Sequence, residues 1–304
     1  MMISPHAATN QTFTRESIGN LSVLGLACAL ILIPFVCAAA EQQQPQIVMY
    51  DGVTTQQQLT PLQREIEKQR QKLSSSKVEE RRDAVLRLGN LKRADASRAA
   101  LNAINDSAPI VRATAAHALL ALPPTEVVAA LNPLLLRDRN EFVRQEVAYA
   151  LGATRSRIAI EPLLLALARD KKSSVRGAAA VSLGLIGDEA AVMPLSALLS
   201  RRVASSGLLN RLRGRDKIDE NEFVRRASAR ALGQIKSRAA VPALIATLAD
   251  QMAGDDVRRE AARALGLIGD PAAVPALRAA LTASDPYLSQ IADEALRKIS
   301  PAQS

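Results

Sequence analysis

Charge in this sequence is placed with a period. Arginines stand at 112, 144, 176, 225 and 258, a spacing of about 32 residues over most of the chain. An aspartate stands six residues before four of them, at Asp106, Asp138, Asp170 and Asp219. Guanidinium and carboxylate groups form paired, charge-assisted hydrogen bonds. A pair that returns once per period reads as a structural ladder between units rather than as a ligand site. A second cluster breaks the period: Arg201, Arg202, Arg211, Arg213, Arg215 and Lys217 face only Asp216 and are interleaved with Leu208, Leu209 and Leu212. Such a segment suits a helix that meets a partner or an anionic surface, and equally a solvated loop that tolerates charge. Arg169 and Arg278 fall on the second helix of their units, where a curved array would present them to an acidic or extended partner.

Residues for catalysis are sparse. The two histidines are His6 and His117, too few for a histidine-rich metal site. His117 sits between Ala116 and Ala118 and reads as a structural or surface residue. Glu146, Glu161, Glu220, Glu222 and Glu260 are scattered, and carboxylates on solvated helix faces are far commoner than catalytic pairs. No phosphate-binding glycine loop or nucleophile elbow is present, and Ser205-Ser206-Gly207 is a flexible start to the basic segment. We assign no catalytic, cofactor or metal residue, and expect a non-enzymatic protein. The net charge of +9 favours acidic partners. With no tryptophan and few other aromatics, base stacking and carbohydrate binding are poorly served, and no nucleic acid partner is expected.

The elements that position these residues are helical. An apolar-arginine pair leads to a Leu-Gly pair from Val143-Arg144 to Gly152, Val175-Arg176 to Gly184, Val224-Arg225 to Gly233 and Val257-Arg258 to Gly266. Weaker copies begin at Arg81, Arg112 and Leu288-Ser289, making seven units. One interval is longer by about 17 residues, and insertions in such arrays emerge at turns; the excess lies within 201–220. Val175, Ala179, Leu183 and Ile186 line one stripe of a first helix. Caps are expected at Ser107, Asn140, Ser173, Asn221, Asp255 and Ser284. Gly187-Asp188 and Gly269-Asp270 end helices, and Pro162, Pro194, Pro242 and Pro275 open the second ones. Small residues between helices allow close stacking, and no sheet is expected after residue 60.

Through segments such as Val257-Arg-Arg-Glu-Ala-Ala-Arg-Ala-Leu-Gly-Leu-Ile-Gly-Asp270 followed by Ala273-Val-Pro-Ala-Leu277, the chain resembles the HEAT-like repeat family, especially the short repeats first recognised in bilin lyases. The resemblance implies an all-α fold, a right-handed α-solenoid of about seven helical hairpins over 77–300 with the insertion at 201–220. It departs from the pattern at Leu120 and Pro123-Pro124 in the second unit, and at Ser289 in the last, which has no second helix and ends the stack with polar residues. HEAT-type hydroxylases hold iron through repeated His-Glu pairs, whereas His117 is followed by Ala118, so that activity is excluded. A bilin-lyase-type enzyme or enzyme subunit remains the alternative, and it would have to meet cytosolic phycobiliproteins.

The N-terminal region argues for another compartment. Leu21 to Val36 is apolar and uncharged, preceded by Arg15 and followed by Ala38-Ala39-Ala40, the pattern of a signal peptide over 1–40 that releases a chain starting near Glu41. An uncleaved anchor is the competing reading, since 21–40 is long enough to span a bilayer, and Cys37 as a lipidated residue is a third, opposed by the bulky Val36. Both cysteines, Cys28 and Cys37, lie in this segment, so a processed chain has no thiol chemistry. A Gln-rich linker over 41–59 leads to an amphipathic helix over 60–76, read as a cover for the open end of the stack rather than as a coiled-coil contact. The combined expectation is an exported scaffold, periplasmic or extracellular, that binds another protein. Membrane contact through residues 21–40 or the insertion would make it a membrane-anchored adaptor.

Overall fold

A computed structural model of the protein describes residues 59–200, 202–204 and 217–299, with the backbone alone given for 202–204 and 217–219. The expected signal peptide over 1–40 and the Gln-rich linker up to residue 58 therefore lie outside the described residues.

The chain begins with α1 (Pro61–Lys72). The Thr60 side chain accepts from the Gln63 amide and the Gln63 side chain accepts from the Thr60 amide, a reciprocal cap with Pro61 preset for the first turn. Helical hairpins then succeed one another, each a first helix followed by a second. They are α2 (Val78–Asn90) with α3 (Ala94–Ala100), α4 (Pro109–Ala118) with α5 (Pro124–Arg137), and α6 (Glu141–Ala153) with α7 (Ile160–Arg169). Next come α8 (Ser173–Ile186) with α9 (Val192–Leu199), α10 (Glu222–Ile235) with α11 (Val241–Ala249), and α12 (Asp255–Ile268) with α13 (Val274–Ala280). The lone α14 (Pro286–Ile299) closes the described chain, so the units comprise six hairpins and one unpaired first helix. At the other end α1 packs on α2 and α3.

Each first helix packs extensively on the first helices before and after it, while consecutive second helices meet at few positions. The Leu-Gly glycines explain the difference. They lie inside their helices, where a Cβ on Gly152 would come within 2.7 Å of Ser182 Cα, on Gly233 within 2.9 Å of Ala264 Cα, and on Gly266 within 2.8 Å of Ala295 Cα. Backbones that close leave no room for a side chain, so the first helices form the tighter row. Leucine and alanine fill the space behind them, with Leu151, Leu163, Leu183, Leu195, Leu232, Leu244 and Leu265 fully buried in one continuous core. A different pair of glycines ends helices: Gly187 and Gly269 adopt φ of +76° and +74° and donate to the carbonyls of Leu183 and Leu265. A single 3-10 turn follows, opened by the Asp188 or Asp270 side chain, and the expected prolines fall in the first turn of α7, α9, α11 and α13.

Two expectations change. Asn140 and Asn221 cap α6 and α10, accepting from Phe142 and Phe223. Ser107, Ser173, Asp255 and Ser284 are not the capping residues: Ala108, Lys172 and Gly254 hold the N-cap positions of α4, α8 and α12 without a side-chain cap bond, and Asp285 accepts from Tyr287 at the start of α14. The all-helical reading also misses β1 (Arg202–Ala204) and β2 (Lys217–Asp219), an antiparallel pair in which Val203 faces Ile218. The insertion leaves and returns at one turn, so its two ends run side by side, and β-branched residues there favour a ladder.

Candidate interaction surface

The periodic arginines reach forward along the stack. Arg81 donates through Nε and Nη2 to Asp106 at 2.7 and 2.9 Å, Arg112 to Asp138 at 2.7 and 2.9 Å, and Arg144 to Asp170 at 2.7 and 3.0 Å. The third guanidinium nitrogen holds the arginine's own unit: Arg112 and Arg144 each donate 2.8 Å bonds to the carbonyls of Asp106 and Asp138, six residues earlier. Each carboxylate also accepts a turn amide, so one Asp joins two units and shapes the turn between them. Burial works against the charged forms of Asp138 and Asp170, yet Arg112, Arg144 and the turn amides outweigh it and hold both carboxyls below the usual range. Hydrogen bonds from Arg81 and Arg259 hold Asp106 and Asp285 down in the same way.

The ladder departs from the expected residues after the fourth unit. Arg176 pairs with buried Glu220 rather than with Asp219, because the insertion displaces the turn by one position. Arg259, not Arg258, makes the paired bonds to Asp285, at 2.7 and 2.8 Å. Arg258 turns to the Leu248 carbonyl. Between these, Arg225 reaches Asp250 through one 3.4 Å contact, and its buried Nε has no partner among the described residues.

With the arginines accounted for, the exposed face of the first helices stands out. Phe142, Phe223 and Tyr287 hold one register position, two residues before Arg144, Arg225 and Ser289, and Tyr149 lies two turns further along α6. These are all the aromatic residues of the described chain; Tyr149 packs against the core, Phe223 is half-buried, and Phe142 and Tyr287 are exposed. At the N-terminal end this face forms a cleft of about 670 Å³ whose apolar walls include Leu86, Ile110, Leu120 and Phe142, each more than a third exposed. Lys92, His117 and Glu146 also line it, with His117 Nε2 2.9 Å from Glu146 Oε2. Further along, a smaller cleft beside Phe223 is charged, lined by Arg226, Arg230, Arg259 and Arg263 with Asp256 and Glu260. Arg230 has no ionic partner there among the described residues, while Arg259 lies over the Tyr287 ring at 5.1 Å. Large exposed apolar side chains grouped in a concavity mark contact surfaces.

The residues singled out in the sequence fall elsewhere. Arg169 is exposed at the end of α7 and lines a separate cleft between turns, whereas Arg278 is exposed on α13 and joins no cluster. Arg201, Arg211, Arg213 and Arg215 lie outside the described residues, as do the side chains of Arg202 and Lys217. Among the described residues no cluster of His, Cys, Asp or Glu is arranged to hold a metal, and no helix is long and apolar enough to cross a membrane. The first-helix face was missed because its positions alternate with core positions in the same helix; the shared register of Phe142, Phe223 and Tyr287 was the available signal.

A family model described as HEAT repeats matches residues 66–152, 128–206 and 205–297. No curated protein matches. Among solved structures, human deoxyhypusine hydroxylase in complex with glycerol is 22% identical, with 78% of this chain and 96% of that one covered and a TM-score of 0.36. The complex of CpcE and CpcF of phycocyanin lyase from Nostoc sp. PCC7120 is 24% identical, covering 79% and 87%, with a TM-score of 0.45. A designed armadillo repeat protein in complex with the peptide (KR)4 is 17% identical, covering 77% and 99%, with a TM-score of 0.40.

Proposed function

The chain belongs to the HEAT-repeat family, and from that premise we propose that it is an exported, non-enzymatic scaffold that binds an extended segment of another protein along the face of its first helices. The observation that carries the reading is the shared register of Phe142, Phe223 and Tyr287 on that face, with Phe142 and Tyr287 42% and 65% exposed and Phe223 half-buried. A solenoid packed with leucine and alanine has no need of exposed phenylalanine, and rigid aromatic side chains are what binding surfaces use as anchors. The face changes character along its length, apolar around Leu86, Ile110 and Phe142 and arginine-rich around Arg226 and Arg230. That asymmetry suits a segment with apolar side chains at one end and acidic ones at the other. Export rests on the apolar 21–36 run and the alanines before Glu41.

A photo-crosslinking residue at position 142 tests the site, with one at Met193, 71% exposed on α9, as the comparison. Capture of one defined protein from position 142 but not from 193, lost on placing Glu at position 110, supports the scaffold. Capture from 193 alone, or a purified chain that turns over a tetrapyrrole, overturns it. Export is tested separately by the N-terminal residue and intact mass of the mature chain: a start near Glu41 supports cleavage, and retention of 21–40 supports the anchored adaptor.

A further inference from the structure

The turns that carry the ladder aspartates differ in what surrounds them. At Asp106, Asp250 and Asp285 the neighbours are uncharged, Asn105 and Ser107, Ala249 and Gln251, Ser284 and Pro286. At Asp138 and Asp170 they are cations: Arg137 and Arg139 in one turn, Arg169, Lys171 and Lys172 in the next. In sequence the signs alternate and suggest a neutral stretch. In the fold they separate. Asp138 and Asp170 turn inward, with side chains 7% and 9% exposed, and are neutralised by Arg112 and Arg144. The five cations point outward. Lys172 pairs with Glu141, and the other four make no hydrogen bond or ion pair among the described residues. All five line one cleft of about 520 Å³, with Leu135, Leu136 and Leu165 also in its walls.

We propose that this cleft is a docking site for an acidic peptide segment, with carboxylates on the arginines and lysines and an apolar side chain against Leu136 and Leu165. The inference goes beyond the first-helix face and does not depend on it. The turn itself does not require the cations, since Asp106 and Asp285 turn inward in the same way without them. Four uncompensated charges around one concavity favour anions strongly. The cleft is sized for a side chain and has an apolar wall, which fits a peptide better than the flat surface of a membrane.

The test uses the full chain and a fluorescent peptide of alternating glutamate and leucine, followed by anisotropy at several salt concentrations. R139E/K171E should weaken binding about tenfold or more and flatten the salt dependence. R226E/R230E, on the first-helix face, should leave at least part of that binding in place. Both altered turn residues are exposed and outside the ladder, so the melting midpoint should hold; R139Q/K171Q, expected to weaken binding less, serves if charge reversal disturbs the fold. Peptide affinity unchanged in both turn variants overturns the proposal, as does binding of phosphatidylglycerol vesicles that depends on these residues when peptide binding does not. Loss of crosslinking at position 142 with peptide binding intact would sink the proposed scaffold face and leave this site standing.

Discussion

At the scale of single residues, the arginines of the ladder are not equivalent. Arg144 is 13% exposed and satisfies both oxygens of Asp170. Removing one member of a buried pair leaves an uncompensated charge, at a cost of about 3–5 kcal/mol. Arg225 holds Asp250 by one long contact, and that carboxylate is 41% exposed, the regime in which a pair contributes about 0–1 kcal/mol. Arg144→Met should therefore lower stability much more than Arg225→Met in urea unfolding, and equal losses would refute the assignment. Acid is the second probe. Asp106, Asp138, Asp170 and Asp285 are all held below the usual carboxylate range. The unfolded chain thus takes up protons first as pH falls past about 4. Their contribution is fully present above that value and is lost as pH drops through the folded values, so the melting midpoint should fall steeply below about pH 4. A midpoint level down to pH 2 would contradict this. The role of the arginines was legible in the sequence, because pairs at a fixed spacing have few other uses. Glu220 and Arg259 were not, since each replaces an expected neighbour where a change in turn length shifts the register.

At the scale of the helix, sequence and structure agree where local chemistry decides. Gly187 and Gly269 end α8 and α12 with positive φ, and Lys236 takes the same conformation at the end of α10, with φ +61°. A side chain in that region is strained by about 1–2 kcal/mol, a cost glycine lacks. Lys236→Gly should raise stability by about 0.5–1 kcal/mol after the added freedom of the unfolded chain is deducted. A lower melting midpoint in that variant would show that the Lys236 side chain contributes something the turn needs. The serine caps were misread because the helices start one residue away from the expected cap, after Ala108 rather than Ser107 and after Lys172 rather than Ser173. Only the fold shows that Asp106 and Asp170 are already committed to those turns.

At the scale of the whole domain, stacking makes stability a sum over neighbouring contacts, and the array opens first where a contact is poorest. The rung between α10 and α12 is the weakest of the paired set, with Arg225 Nε unpartnered among the described residues. Amides of α12 to α14 should then exchange with solvent before those of α6 and α8, which intact rungs hold on both sides. Exchange that begins in α6 would place the weak point elsewhere. The repeat, its length and the point of insertion were all readable from the spacing of arginine and glycine. The working face was not, because periodicity identifies which residues stack and says nothing of what the remaining surface touches.

The forward reach of the ladder also gives the chain a direction in time. Each of Arg81, Arg112 and Arg144 finds its carboxylate 25 or 26 residues later. On a ribosome, a newly emerged hairpin holds a guanidinium whose partner has not yet left the exit tunnel. Every unit is secured one unit late, by the arrival of its successor, and synthesis itself sets the order in which the rungs close.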